Sequence, residues 1–170
     1  MPGFSSAAQW DSHPQGSAWT EATVAALKID GADLISSVPG DVGIYCPAYA
    51  RATPENREAF WVGLVSGMAK YESGWNPMAR GDGGKFLGLM QISDDTAAQN
   101  GCARGEGLLD GRANLSCAVR IMSRQVAEDG AIFESNSGGW RGLAHDWLPF
   151  RKKHVREDLA SWTSKQNYCN

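Results

Sequence analysis

One carboxylic acid, Glu72, stands where the pattern of the chain calls for an apolar residue. Apolar residues precede it at spacings that form one face of an α-helix, namely Phe60, Trp61, Leu64, Val65 and Met68. Glu72 lies four residues beyond Met68 and so continues that face. Burial and the negative end of a helix dipole both raise a carboxyl pKa, so this group could hold a proton near neutral pH and act as a general acid. The alternative is a structural glutamate that pairs with an arginine or caps a neighbouring helix.

The elements that would position this acid are predicted to be mainly α-helical. Thr53-Pro54-Glu55 supplies an N-cap, a proline at the first helical position and an acid in the first turn. The helix that begins there runs to about Ser73, because Gly74 provides a helix end. Further helical segments are predicted over residues 18–35, 94–100, 114–129 and 141–163, with breaks at Gly31 and near Pro149. The Gly-rich residues 74–93 are predicted to be irregular, with room for a short hairpin.

Length and composition point to one globular domain. The chain has 170 residues, of which 42% are apolar and 21% charged, and this length can bury a sizeable core. Residues 1–16 are rich in Ser, Gly, Pro and Gln and are predicted to be a flexible arm, which leaves residues 17–170 as the folded domain. A net charge of −3 argues against a nucleic-acid partner. No apolar run is long enough to predict membrane insertion, and Met1-Pro2-Gly3-Phe4 lacks the features of a secretory signal.

Four cysteines, Cys46, Cys102, Cys117 and Cys169, indicate the compartment. They form no metal-ligand spacing with one another or with the three histidines, so we expect no metal and no other cofactor. Two disulfides are expected, and three pairings are possible. A local bridge between Cys102 and Cys117 is favoured, which leaves Cys46 with Cys169. Two bridges predict an oxidising compartment, whereas four free thiols in a cytosolic protein are the alternative.

Three short motifs resemble the soluble lytic transglycosylase (SLT) family of the lysozyme-like superfamily. Tyr71-Glu72-Ser73 matches the family's Glu-Ser pair at a helix end. Gly88-Leu89-Met90-Gln91-Ile92 matches its G-L-M-Q segment, and Thr96-Ala97 matches the T-A pair that follows. The likeness extends over residues 44–150. It implies a mainly α, lysozyme-like single domain with a substrate cleft that accepts peptidoglycan glycan strands.

By this resemblance Glu72 is the catalytic acid/base. It would protonate the glycosidic oxygen between N-acetylmuramic acid and N-acetylglucosamine. It would then take the proton of the muramoyl 6-hydroxyl, whose attack on C1 closes a 1,6-anhydro ring. Ser73 is similar to the family residue that hydrogen-bonds near the sugar or the acid. Gly88, Met90 and Gln91 belong to the segment expected to line the cleft opposite the acid.

The stretch from Glu72 to Ile92 also resembles goose-type lysozyme, which hydrolyses the same bond. In that family an Asp in a Gly-rich loop helps to position a nucleophilic water, and Asp82 fits that place. A second Asp follows the family's Gln by two residues, where this chain has Ser93 and then Asp94. The sequence therefore leaves a muramidase open as the alternative, and Asp82 is also well suited to a plain turn.

The end of the chain departs from the commoner SLT pattern. The late A-Y-N motif of the family corresponds here to a stretch from Trp140 to Trp147 that contains no Tyr. Tyr71 or Tyr168 are candidates to replace the missing ring. Among the seven tryptophans, Trp75 and Trp140 are expected near the glycan, because one follows the acid closely and the other lies in the late motif.

Two further classes of function stay open at this stage. One is a non-catalytic peptidoglycan-binding module on the same fold, against which the intact Glu72 argues. The other is a small disulfide-stabilised structural protein, which leaves the motifs unexplained. We expect a monomer in the periplasm or outside the cell, in wall remodelling, secretion, phage lysis or as an antibacterial effector. The sequence selects no secretion-machine, immunity or inhibitor partner.

Overall fold

The computed structural model describes residues 7–170. Within them the α-helices are α1 Gly16–Asp30, α2 Ala32–Ser36, α3 Val42–Tyr45, α4 Pro54–Ser73, α5 Asp94–Gln99, α6 Gly111–Asp129 and α7 Lys153–Thr163. Short 3-10 helices cover Tyr49–Arg51, Asp82–Gly84, Gly105–Leu109, Leu148–Arg151 and Asn167–Cys169. The strands are β1 Arg80–Gly81, β2 Phe86–Leu87, β3 Ile92–Ser93, β4 Phe133–Asn136 and β5 Gly139–Gly142. The predicted mainly α fold is therefore confirmed.

Helix α4 is the element around which the site is built. The side chain of Thr53 accepts a hydrogen bond from the backbone N–H of Asn56, and Pro54 opens the helix as predicted. Gly74 ends it in the left-handed conformation at φ 61°, where its N–H donates to the carbonyl of Lys70. The predicted apolar stripe of α4 is buried along its whole length. α4 packs against α1 on one side and α7 on another, and α6 packs mainly against α1.

The two small sheets are antiparallel. Strands β1, β2 and β3 form one sheet in that order, with Gly81 opposite Phe86 and Leu87 opposite Ile92. This sheet confirms the short hairpin expected between residues 74 and 93. Strands β4 and β5 form a separate hairpin, in which Ser135 lies opposite Trp140. The sequence prediction was wrong here, because it began the last helical region at residue 141, whereas α7 begins at Lys153.

The start of α6 also differs from the prediction. Asp110, and not Asn114, is the N-cap residue, since its carboxylate accepts a hydrogen bond from the N–H of Ala113. Asn114 is instead a fully buried residue of the first turns. The end of the helix at Gly130, in the left-handed conformation, agrees with the prediction.

Residues 7–16 differ from the predicted flexible arm, while residues 1–6 lie outside the described part of the chain. Trp10 is fully buried, its indole N–H donates to the hydroxyl of Thr20 at 2.8 Å, and its ring packs edge-on against Trp19. The N–H of Gln9 donates to the hydroxyl of Ser66 on α4 at 2.8 Å. Burial of this large aromatic side chain, together with these hydrogen bonds, holds the stretch on the domain.

Both disulfides have the favoured pairing. Cys46 bonds to Cys169 with a Cα–Cα distance of 4.7 Å, and Cys102 bonds to Cys117 with a Cα–Cα distance of 5.7 Å. The first bridge ties the last 3-10 helix to the segment before α4, and the second ties the segment after α5 to α6. The bridges therefore fix the periphery of the domain around α4.

Candidate active site

Glu72 lies in the last turn of α4 with its carboxyl group turned into the protein. The residue is half-buried, and one carboxylate oxygen, Oε1, is buried without a hydrogen-bond partner among the described residues. Burial raises the pKa of Glu72 to about 8. The carboxyl group therefore keeps its proton at neutral pH, and it can donate that proton to a group that enters its site.

The two candidate residues next to the acid are engaged with α4 itself. The hydroxyl of Ser73 donates to the carbonyl of Ala69 at 3.0 Å, which leaves its oxygen lone pairs for other donors. Trp75 has a left-handed backbone at φ 61°, and its indole N–H donates to the carbonyl of Ser66 at 2.9 Å. The half-buried ring thus folds back along the helix, so the structure gives Trp75 a packing role.

The Gly88–Gln91 segment is held by the protein on both sides. Gly88 has φ 80°, and a Cβ atom there would collide with the amide of Asn114 and the carbonyl of Leu108. The N–H of Met90 donates to Oδ1 of Asn114 at 2.8 Å, and its carbonyl accepts from the indole N–H of Trp147 at 2.9 Å. The side chain of Met90 is fully buried, so it offers no surface to a sugar, in contrast to the expectation.

The amide of Gln91 is also used internally. Its backbone is left-handed at φ 47°, and its side-chain N–H groups donate to the carbonyls of Ala79 at 3.2 Å and Gly88 at 3.0 Å. The amide carbonyl lies against Gly81 of β1. Gln91 therefore ties β1 to the turn before β3, and this role explains why an amide with two donors stands at this position.

Asn114 is a site residue that the sequence reasoning missed. It is fully buried on α6, and its amide donates to the carbonyls of Leu87 and Leu108, both at 2.9 Å, besides accepting from Met90. A polar residue at a buried helical position could have signalled this role, because buried amides are almost always hydrogen-bonded. Asn114 positions the segment that follows β2.

The two aspartates considered as second carboxylates have different surroundings. Asp82 is exposed in the turn between β1 and β2, with a left-handed backbone at φ 48°. Asp94 accepts a hydrogen bond from the N–H of Gly105 at 2.7 Å and so fixes the loop after α5. Both carboxylates are exposed, but one oxygen of Asp94 is engaged in this hydrogen bond.

Neither tyrosine suggested as a replacement for the late-motif ring uses its hydroxyl to hydrogen-bond the carboxyl group of Glu72. The hydroxyl of Tyr71 donates to Asp158 of α7 at 2.5 Å, and this hydrogen bond raises the pKa of Tyr71 to about 12. The hydroxyl of Tyr168 donates to the carbonyl of Ala7 at 2.8 Å. Tyr71 therefore ties α4 to α7, and Tyr168 ties the end of the chain to its first described residue.

Trp140 lies on β5 with 38% of its surface exposed. The guanidinium of Arg151 lies 5.4 Å from the ring centroid, and the ring centroid of Phe133 lies 6.2 Å from it.

The hairpin that carries Trp140 is fixed at its base by Asp129, which accepts a hydrogen bond from the N–H of Gly142 at 2.6 Å. Asp41 fixes the other strand, since its carboxylate accepts from the N–H groups of residues 132 and 133. Trp140 is thus a partly exposed aromatic ring on an anchored hairpin.

Residues 7–170 contain neither a candidate metal centre nor a candidate membrane span. No group of three or more His, Cys, Asp or Glu residues there could hold a metal ion. No helix of that part of the chain has the length and apolar character needed to cross a bilayer.

The fold and the buried acid at the end of its central helix define a lysozyme-like domain. The family model described as "Transglycosylase SLT domain" matches residues 51–136, half of the chain. The chain therefore belongs to the transglycosylase SLT domain family. This family supports lytic transglycosylase-type action on peptidoglycan. Together with two disulfides, it is consistent with a location outside the cytoplasm.

Solved structures of DslA are similar to this chain along almost its whole length. Wild-type DslA is 28% identical, with 96% of this chain and 98% of that chain covered and a TM-score of 0.87. Two DslA variants, each with one glutamate replaced by glutamine, match at the same identity with TM-scores of 0.87 and 0.85. No curated protein sequence matches the chain significantly.

Proposed function

We propose that the protein is a lytic transglycosylase that cleaves the β-1,4 bond between N-acetylmuramic acid and N-acetylglucosamine, with Glu72 as acid and base. The buried carboxyl group of Glu72, whose pKa is raised to about 8, carries this proposal. Its position inside the segment matched by the SLT model supports it. Two of the DslA structures contain glutamate-to-glutamine variants, which makes the same substitution a natural test here.

The proposed reaction needs one carboxyl group in two protonation states. At pH 7 roughly nine-tenths of Glu72 holds its proton, given a pKa of about 8. The proton passes to the glycosidic oxygen as the bond to C1 breaks, and N-acetylglucosamine leaves as an alcohol. The carboxylate then takes the proton of the muramoyl 6-hydroxyl while that oxygen bonds to C1. The acid is regenerated, and no water is consumed.

The remaining substrate contacts are proposed from exposure and free hydrogen-bonding capacity. Trp140 offers an open ring on which a sugar can stack, and Ser73 keeps hydroxyl lone pairs beside the acid. Asp82 offers an exposed carboxylate. Gly88 has the weakest support, because it is buried and both its N–H and its carbonyl are hydrogen-bonded within the protein. Gln91 and Trp75 have weaker support, because their side-chain N–H groups already donate within the protein.

The first test is the replacement of the acid. Glu72→Gln keeps the shape of the side chain and removes the transferable proton, so we expect at least about a 100-fold slower clearing of purified sacculi. Glu55→Gln makes the same change at an exposed position in the first turn of the same helix and should keep full activity. The predicted loss supports the proposal if both variants melt as cooperatively as wild type, and equal clearing by Glu72→Gln and wild type would contradict it.

A muramidase is the second candidate, and the exposed carboxylate of Asp82 is the observation that favours it. An inverting hydrolase needs a second carboxylate to activate water, and Asp82 follows the acid in the turn of the first sheet. Under this alternative Asp82→Asn abolishes cleavage and the products have reducing ends. Under the lyase proposal Asp82→Asn alters only substrate affinity.

For location and assembly, we propose a periplasmic or secreted monomer. The two disulfides favour an oxidising compartment, and the peptidoglycan substrate lies in the same place. Fractionation of cells that produce the protein, with thiol labelling before and after reduction, tests the compartment. Gel filtration at several concentrations tests the monomer.

A further inference from the structure

The face of α4 that meets α7 carries two glycines and ends in a tyrosine. Gly63, Gly67 and Tyr71 follow one another at intervals of four residues and so form one stripe of the helix. A Cβ atom at Gly63 would collide with the hydroxyl of Tyr168, and one at Gly67 would collide with the side chain of Leu159. The end of the chain and α7 therefore approach α4 closely along the glycines, and Tyr71 is the large side chain at the end of this stripe.

Tyr71 completes the interface with a hydrogen bond to α7. Its hydroxyl donates to Oδ2 of Asp158 at 2.5 Å, a distance typical of a strong bond to a carboxylate. No Lys, Arg or His side chain of residues 7–170 forms an ion pair with Asp158, so no cation in that part of the chain competes with the tyrosine. The bond raises the pKa of Tyr71 to about 12, and the hydroxyl therefore stays a donor at neutral pH.

Asp158 is a fixed acceptor, because α7 is anchored on both sides of it. The hydroxyl of Thr163 donates to the carbonyl of Tyr45 on α3 at 2.6 Å. The guanidinium of Arg156 donates to the carbonyl of Phe150, in the preceding 3-10 helix, at 2.9 Å. The tyrosine thus ties the last turn of α4 to a helix that other parts of the fold hold in place.

The acid is the next residue along the chain. Glu72 lies on the neighbouring, inward stripe of α4 that contains Leu64 and Met68, both of which are buried. The last turn of a helix frays readily, since its carbonyl groups have no partners within the helix. A hydrogen bond from the preceding residue fixes how this turn is rotated and therefore where the carboxyl group points. A displacement of about 1 Å in a reacting group can slow an enzymatic reaction by about 100-fold.

We propose that Tyr71 is a positioning residue for the acid, whose hydrogen bond to Asp158 holds the last turn of α4 so that the carboxyl group of Glu72 reaches the glycosidic oxygen. This inference rests on the proposed function of Glu72 as acid and base. The alternative role for a ring that is 39% exposed beside the acid is direct contact with the sugar. The two roles are separable, since loss of positioning lowers kcat whereas loss of a sugar contact raises KM.

Steady-state cleavage of soluble glycan strands gives kcat and KM separately. Tyr71→Phe keeps the ring and removes the hydroxyl, so kcat should fall about tenfold while KM stays within about twofold of the wild-type value. Asp158→Ala removes the acceptor and should cause the same loss. The double variant should lose no more than either single variant, because both remove one interaction. Asp158→Asn still offers an oxygen acceptor and should keep kcat within about threefold of wild type.

Tyr168→Phe is the matched control. It removes a hydroxyl that lies on the same face of α4 at Gly63, more than two helical turns before the acid, and that donates to the carbonyl of Ala7. This variant should lose stability in urea and keep the wild-type kcat. An equal loss of kcat in Tyr168→Phe and Tyr71→Phe would overturn the inference, as would additive losses in the double variant. A raised KM with unchanged kcat in Tyr71→Phe would assign the hydroxyl to the sugar instead and overturn it too.

Failure of this inference is distinguishable from failure of the proposed function. If Glu72→Gln clears sacculi as wild type does, the proposed function is wrong and the inference falls with it. If Glu72→Gln is inactive while Tyr71→Phe keeps the wild-type kcat and KM, the proposed function stands and the positioning role of Tyr71 alone is wrong.

Discussion

At the scale of the residue, Glu72 couples the proposed chemistry to stability. A buried carboxyl group with one oxygen unpaired disfavours its charged form, and burial alone raises its pKa to about 8. The unfolded chain loses this proton near the ordinary value of 4.5, so between pH 4.5 and 8 the folded state binds more protons. The contribution of Glu72 to stability is therefore greatest below pH 4.5 and falls as the pH rises to 8.

This linkage predicts the stability of Glu72→Gln. Because glutamine does not titrate, the free energy of unfolding of the variant should rise relative to that of wild type between pH 4.5 and 8. The difference should reach on the order of 4 kcal/mol above pH 8. Urea unfolding at pH 4, 6, 8 and 9 measures the difference, with Glu55→Gln as the control that should show no such trend. A difference that is constant with pH would contradict the burial of this carboxyl group.

The burial of Glu72 could be predicted from the sequence, but the contacts of several residues in the motifs that follow it could not. Glu72 continues an apolar stripe, which is visible in one segment of the chain. Met90 and Gln91 share motif letters with a substrate-lining segment, yet Asn114 and Trp147 fix that segment from distant parts of the chain. Such pairings depend on tertiary packing, and no local pattern encodes them.

At the scale of the element, the two turns of the first sheet use glycine for different reasons. Gly88 and Gly83 both have positive φ, at 80° and 65°. A Cβ atom at Gly88 would collide with a backbone carbonyl and a buried amide, whereas nothing lies within 4 Å of a Cβ atom at Gly83. The first glycine is needed for close packing and the second only for its backbone conformation.

We therefore expect Gly88→Ala to cost about 3 kcal/mol of unfolding free energy and Gly83→Ala about 1 kcal/mol. Gly88→Ala should also slow sacculus clearing, because it displaces the segment that Asn114 holds. Urea unfolding and clearing rates of the two variants measure both effects. Equal costs would mean that the contact between Gly88 and α6 is looser than described.

Helix ends were more predictable than the second hairpin. Local signals at Thr53, Pro54 and Gly74 define α4, and the structure follows them.

The β4–β5 hairpin consists mostly of exposed residues, and its anchors are Asp129 and Asp41. Burial raises the pKa of Asp129, but hydrogen bonds from Gly142, Gln125 and Arg141 outweigh it and hold the pKa below the usual value. These anchors form only in the folded chain.

At the scale of the whole molecule, the two disulfides close loops of very different length. Cys46–Cys169 spans 123 residues and Cys102–Cys117 spans 15. On loop entropy alone, the first bridge stabilises the fold by about 5 kcal/mol and the second by about 3 kcal/mol. Paired serine variants of each bridge, unfolded in urea, should show the larger loss for the long loop. A larger loss for the short one would mean that local packing at α6 outweighs chain entropy.

The single domain could be predicted from length and composition, but its first residues could not. A stretch with two large apolar residues among polar ones is typical of a flexible arm, yet Trp10 is buried between Trp19 and the body of the domain. The residues that pack against Trp10 cannot be predicted from the sequence of its own segment.

Mass spectrometry of the muropeptides released from purified sacculi tests the central claim most directly. Wild type should release 1,6-anhydromuramic ends, each lighter by one water than a reducing end, and Glu72→Gln should release none. Reducing ends from wild type would make the enzyme a hydrolase. Anhydro ends from Glu72→Gln at the wild-type rate would show that another residue is the acid.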